Sequence, residues 1–268
     1  IFPDHAPKSK KSRLYPLYRP LMVEIGRRAN IIIADSDASR ADVIKHLQIP
    51  PERQKSVRRV YCGVARPGIR HDTSRRSPVA ARTVLYVGRS DPYKNCIGLI
   101  RAFDQVRTQC PFPVTLLMAG SPDNRYPEIE AGIRNLGLTD LVRREYLTDA
   151  DLDAAYARAD VVVLPSLYEG FGLPVIEAMA HGTPVVCSNR GALPEVAGEA
   201  AIQIDPDNIP DLAWNISRVL NDTTLARDLS FKGLDRAASF TWERTARETL
   251  AVYREAGEFI SRRSVQVS

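Results

Sequence analysis

Residues 159–189, ADVVVLPSLYEGFGLPVIEAMAHGTPVVCSN, decide the fold. Asp160 leads into a short run at 161–164 that is rich in β-branched residues, as expected of a strand buried on both faces of a parallel sheet. Pro165, Gly170 and Gly172 then break the chain into a loop, and Pro174 suits a first helical turn, where a missing N–H is harmless. The spacing predicts a helix over 174–181, ended by Gly182 in a left-handed conformation, and a second strand over 184–187. Strand, helix and strand make one parallel crossover. Its loop opens onto a helix N-terminus, whose first N–H groups lack intrahelical partners and carry about half a positive charge, so phosphate is the expected guest. Glu169 and Glu177 are not what an anion site needs, and they read as acceptors for hydroxyl groups.

The pattern E-G-F-G-L-P-V-I-E, with seven residues between Glu169 and Glu177, resembles the signature of retaining GT-B glycosyltransferases of family 4, the glycogen-synthase-like group. The resemblance implies that Glu169 faces the transferred sugar. It also implies that the backbone of Gly170, Phe171, Gly172 and Leu173 holds a diphosphate and that Glu177 takes the ribose hydroxyls.

Upstream, residues 83–88 (TVLYVG) read as a strand, 89–94 as a loop, and 95–107 as a helix with Ile97, Ile100, Ala102 and Phe103 on its apolar face. Arg89 and Lys94 stand at the two ends of that loop, over the carboxyl edge of a strand, where both are expected to reach one diphosphate. Val87 through Asn95 is similar to the family's V-G-R-x-x-x-x-K-N segment. A strand at 114–119 ending at Gly120, a helix at 127–136, a strand at 142–146 and a helix at 149–159 continue a βα alternation, hence a doubly wound sheet. The resemblance places base and ribose near the third strand's end, at Tyr146 and Leu147, although Tyr146 also reads as a core or rim aromatic. Residues 191–198 (GALPEVAG) resemble the family's short loop and helix, with Glu195 as cleft glutamate or structural cap. A last strand at 201–204 and helices at 207–220, 223–238 and 241–258 complete the chain, with a tail from Arg262.

Metal binding is not expected. Asp149-Ala150-Asp151 has the D-x-D form, but Thr148 stands three residues before Asp151, the spacing of a capping box, and Asp205-Pro206-Asp207 reads as a turn. Cys62, Cys96, Cys110 and Cys187 form no C-x-x-C pair and read as reduced and mostly packed. No cofactor is expected beyond the donor, a UDP- or GDP-sugar.

The composition, 44% hydrophobic and 26% charged over 268 residues, is that of a globular protein. No run of about 18 apolar residues exists and the start lacks a signal-peptide stretch, so the expectation is a cytoplasmic protein. Charge is unevenly spread: residues 1–80 hold 17 Lys and Arg against 7 Asp and Glu, while the rest hold 20 against 25. Lys8, Lys10, Lys11 and Arg13, beside Leu14, Tyr15, Leu17 and Tyr18, read as a solvated loop, with peripheral contact to an anionic membrane surface as the alternative. No nucleic-acid-binding motif accompanies the charge.

Near the start, a strand at 30–34, a helix at 39–47 capped by Ser36, and a strand at 57–61 ending in Cys62-Gly63-Val64 resemble the close of a GT-B N-terminal half, with cysteine where asparagine is usual. The expected division is therefore 1–64, the end of an acceptor-side Rossmann-like domain; 65–81, a linker; 82–240, a Rossmann-like nucleotide-sugar domain; and 241–268, a terminal crossover helix and tail. The implied class is α/β of GT-B type, and the implied reaction is transfer of a hexose from a nucleoside diphosphate sugar to a carbohydrate or lipid-linked hydroxyl acceptor, with retention. Because about 80 residues precede the second domain, the chain as given is expected to bind donor and transfer poorly. Two alternatives are a nonenzymatic nucleotide-sugar-binding module and an NAD-dependent oxidoreductase; for the second, Val175 stands where G-x-G-x-x-G needs its last glycine.

Overall fold

The structure, a computed structural model, describes residues 10–65 and 81–265. The expected linker lies outside the described residues except at its ends, as does Lys8. Two compact units emerge, one of Val64–Ser239 and one combining Ile1–Gly63 with Phe240–Ser268.

The second of these begins with α1 (Lys10–Arg28), β1 (Ile32–Ala34), α2 (Asp37–His46), a 3-10 turn (Pro51–Ser56) and β2 (Val57–Arg59). β1 and β2 pair in parallel, Ile32 opposite Val57 and Ala34 opposite Arg59. Ala34, Leu47, Ile49 and Val57 form the core, with Met22, Ile32, Val43 and Ile44 against it. Ser36 caps α2 as expected, its Oγ accepting from Ser39 N at 2.8 Å.

α1 corrects the expectation of a solvated loop, since Lys10, Lys11 and Arg13 belong to a 19-residue helix. Pro16 and Pro20 lie inside it, and proline in a helix interior removes a hydrogen bond and crowds the preceding turn. Both prolines are exposed and four residues apart, so they share one solvent-facing stripe of the helix.

The larger unit continues with β3 (Arg82–Val87), α3 (Cys96–Gln109), β4 (Val114–Ala119), α4 (Pro127–Asn135), β5 (Val142–Glu145), α5 (Asp149–Arg158), β6 (Val161–Leu164), α6 (Leu173–His181), β7 (Val185–Ser188), α7 (Leu193–Ala197), β8 (Ile202–Ile204), α8 (Ile209–Asn221) and α9 (Thr223–Ala237). Its six strands are ordered β5-β4-β3-β6-β7-β8, and every pairing is parallel. From β3 the crossovers run outward to β5, and from β6 they run the opposite way to β8. Right-handed crossovers in opposite directions put α3 and α4 on one face and α6 and α7 on the other. Every residue of β6 and β7 is buried, which is why both read as uninterrupted apolar runs.

Expected elements differ from observed ones at their ends. α6 starts at Leu173, β5 stops at Glu145, β1 and β2 each span three residues, and the last helix, α10 (Trp242–Val265), runs beyond the expected start of a tail. α10 groups with the smaller unit, where Thr245 donates to Tyr61 O at 2.8 Å and Phe240 packs on Tyr61 with ring centroids 5.4 Å apart.

Candidate active site

β3 and β6 are neighbours whose following connections leave in opposite directions, so the loops after them border a crevice at the carboxyl edge of the sheet. This is the switch point where open parallel sheets take their ligands. Residues 88–95 and 165–172 supply those two loops. They are tied by backbone, Leu167 N donating to Tyr93 O at 2.7 Å, and by charge, Lys94 Nζ reaching Glu169 Oε1 at 2.7 Å. Ser166 Oγ donates to the same carboxylate oxygen at 2.6 Å. The Lys94 and Glu169 side chains are only 13% and 10% exposed, so this is a nearly buried pair.

Arg89 is positioned differently. Its guanidinium is 68% exposed but anchored by the buried carboxylate of Asp91, with Nε donating at 2.6 Å. Tyr126 donates to the other oxygen of Asp91 at 3.1 Å, so one carboxylate holds both groups. The hydrogen bond from Arg89 to Asp91 raises the Arg89 pKa, keeping it cationic. Beneath it Tyr86 donates to Arg89 O at 2.7 Å, and burial pushes its phenol well above the usual range.

A cavity of about 450 Å³ opens beside Arg89. Gly88, Gly120, Tyr146 and Leu147 line it with Arg89, so five of the expected positions meet there. Gly120 permits this floor: a Cβ on it would lie 2.1 Å from Gly88 O, a backbone atom that cannot step aside. Tyr146 is 73% exposed, a rim residue and not a core one. Asp123 and Arg125 also line the cavity, joined by hydrogen bonds of 2.9 and 3.0 Å from Arg125 Nε, and these bonds hold the Asp123 carboxyl down to about 2.

Lys94, Glu169, Glu177 and residues 170–173 do not line that cavity. Gly172 adopts φ +98, and a Cβ there would sit 2.5 Å from Leu193, so glycine is required at the entry to α6. Pro174 has no N–H, which leaves the Leu173 amide as the outermost helical donor. Glu177, one turn on, accepts from Tyr156 Oη at 2.6 Å through Oε2. Tyr156 stacks on His181 at 5.2 Å, and His181 bridges Glu177 O and Asp153 Oδ1 at 2.8 and 2.6 Å, so Glu177 is held on a braced helix.

The loop at 191–198 supports Glu169 through backbone. Ala192 N donates to Glu169 O at 3.0 Å, and a Cβ on Gly191 would meet that oxygen at 2.6 Å. Sequence reasoning missed Asp91, Ser166, Tyr156 and His181, although Asp91, Ser166 and His181 sit inside the quoted stretches. Asp151 acts in capping, since Thr148 Oγ1 accepts from Asp151 N at 3.2 Å and donates to its carboxylate at 2.7 Å, while Asp149 lies in the first turn of α5. Among the described residues, no His, Cys, Asp and Glu group has a metal-binding arrangement.

Comparison with known proteins agrees with this architecture. Residues 81–222 match the family described as Glycosyl transferases group 1. O-antigen chain mannosyltransferase B of Escherichia coli is 32% identical over 242 residues, covering 84% of this chain and 61% of its own. MMP alpha-(1->4)-mannosyltransferase of Mycolicibacterium hassiacum is 32% identical over 241 residues, covering 87% and 56%. The chain thus spans about three fifths of the lengths of these relatives. Among solved structures, sucrose-phosphate synthase of Thermosynechococcus elongatus aligns with TM-score 0.79 at 28% identity, over 92% of this chain and 63% of that one. Anabaena HepE, solved in complex with UDP-glucose, aligns with TM-score 0.72 at 23% identity, over 91% and 67%, a likeness of fold.

Proposed function

The chain belongs to the group 1 glycosyl transferases, and from that footing we propose that it transfers a hexosyl group from a UDP- or GDP-sugar to a hydroxyl of a carbohydrate or lipid-linked acceptor, with retention. Polysaccharide or glycolipid assembly is the setting that the mannosyltransferase relatives suggest. The observation that carries the proposal is the Lys94–Glu169 pair across the switch point, flanked by Arg89 and the start of α6.

Negative charge grows on the departing diphosphate as the glycosidic bond breaks. Preorganised donors stabilise such charge without reorganising, and Arg89, Lys94 and the Leu173 amide at the start of α6 are the donors available. Glu169, fixed by Ser166 and Lys94, would orient the sugar, and Glu177 would hold the ribose hydroxyls. The cavity beside Arg89 would take the base against Tyr146 and Leu147. Peripheral membrane contact is part of the proposal, supported by the exposed Leu14, Leu17, Leu21 and Ile25 of α1, which fall on one face of that helix.

Calorimetric titration with UDP, GDP and ADP, followed by their sugars, is the test. A charge-assisted hydrogen bond contributes about 1.5 to 3 kcal/mol, so Arg89→Ala should weaken nucleotide binding about tenfold or more. Wild-type affinity in both Arg89→Ala and Lys94→Ala would remove the phosphate site.

A further inference from the structure

Glycosyl transfer leaves unused a cavity of about 360 Å³ in the smaller unit. Arg27, Arg28, Arg53, Lys55 and Arg58 line it, with Glu52 and Glu255 as the acidic residues. Two of the five cations are neutralised in place: Arg58 Nε donates to Glu255 at 3.2 Å, and Arg28 Nε to Glu24 at 2.5 Å. Arg53 donates to the carbonyls of Arg27 and Ala29 at the end of α1, so backbone dipoles meet its charge and, among the described residues, no carboxylate does. Arg27 and Lys55 are exposed, and neither side chain has a hydrogen-bond or ion-pair partner among the described residues. Against these three charges stands Glu52.

Position sharpens the question. Asn30, just before β1, and Ser56, just before β2, also line the cavity, so it lies at the amino edge of the two strands. Ligands of open parallel sheets occupy the opposite edge. The dipole of α1 favours cations at its last turn, which accounts for Arg27 and Arg28 but not for Lys55. The unit as a whole holds 18 Lys and Arg against 10 Asp and Glu, so its field draws anions.

We propose that this cavity is a second anion site, taking a phosphate or pyrophosphate group between Arg27 and Lys55 with Arg53 behind it. Guanidinium and ammonium suit that chemistry, the first as a fork and the second as a point charge. The group belongs either to a free phosphate compound or to an anionic lipid headgroup. α1 ends at the cavity and carries the exposed stripe Leu14, Leu17, Leu21 and Ile25, so a headgroup is accommodated as readily as a solute.

Titration of the full chain with inorganic pyrophosphate, in wild type and in Arg27→Ala/Lys55→Ala, tests the site. Pyrophosphate held by the donor loops contributes equally to both proteins, so their difference reports this cavity. Both side chains are exposed, and circular dichroism confirms that the variant is folded. At least a tenfold loss of the second binding event is expected. Co-sedimentation with phosphatidylglycerol or phosphatidylcholine vesicles separates the sources. Binding to the anionic vesicles that the double variant loses assigns a headgroup, whereas a pyrophosphate difference without vesicle binding assigns a free phosphate compound. Wild type and variant behaving alike in both measurements would overturn the proposal.

Discussion

Lys94 and Glu169 stand 75 residues apart in sequence and 2.7 Å apart in space, and their nearly complete burial makes each depend on the other. Removing one member of a buried pair leaves an uncompensated charge, typically at about 3 to 5 kcal/mol. Lys94→Ala is therefore expected to lower urea-unfolding stability by about 3 kcal/mol and Glu169→Ala by a similar amount. The double variant should lose much less than the sum, and strict additivity in that cycle would contradict the coupling. The same dependence makes Arg89→Ala the cleaner probe of phosphate binding, since Arg89 is mostly exposed and its loss strands only Asp91. Glu177 offers a separate check. Wild type should prefer a ribonucleotide diphosphate over its 2′-deoxy form, and Glu177→Gln should narrow that preference; equal affinities in wild type would end the ribose assignment. Cys187 reports on the core instead: burial pushes its thiol up to about 12, against an ordinary value of 9.0. A raised folded-state value means that stability is fully present below pH 9 and falls between pH 9 and about 12, as only the unfolded chain ionises. At about 1.4 kcal/mol per unit over the two units from pH 9 to pH 11, wild type should lose about 3 kcal/mol more than Cys187→Ala between pH 8 and pH 11 in urea titrations.

At the scale of elements, α5 separates capping chemistry from metal chemistry. Thr148 and Asp151 bond reciprocally at its start, so Thr148→Ala should cost about 1 kcal/mol of stability, while a chelator should leave nucleotide affinity unchanged. Affinity lost with chelator and restored by magnesium or manganese would instead make Asp149 and Asp151 metal ligands. The contrast between α1 and β6 explains what the sequence discloses. β6 was legible because four apolar residues, three of them β-branched, sit between Asp160 and Pro165, a pattern with few other uses. α1 was not, because Pro16 and Pro20 read as breakers unless one knows that both face solvent. Capping residues were legible where the bond is local, as at Ser36 and Thr148. Ser166 was not, since its hydroxyl is committed to Glu169 only once the loop has closed.

For the whole molecule, composition disclosed two regions of opposite charge, and the units follow that division except that α10, at the far end of the sequence, joins the first. The strand order β5-β4-β3-β6-β7-β8 was not legible, because local periodicity says which residues form a strand and nothing about its neighbours. That order is what brings the loops after β3 and β6 together, so the motifs could be quoted from sequence while their meeting could not. It also separates what ligand binding should protect from what it should not. Every residue assigned to the nucleotide lies within Val64–Ser239, whose six strands form one sheet, whereas β1 and β2 form a two-stranded sheet with its own cluster. A ligand stabilises the state that binds it by about 2.7 kcal/mol at one hundred times its Kd. For a unit of this length that corresponds to a rise in melting temperature of about 5 to 10 °C. Hydrogen exchange resolves the location. With the preferred nucleoside diphosphate at that concentration, amides of β3, β4 and β6 that exchange through unfolding of the larger unit should slow by about 100-fold, while those of β1 and β2 keep their rates. Equal slowing in both units would show that the chain unfolds as one cooperative body, and slowing confined to β1 and β2 would move the nucleotide site out of the larger unit.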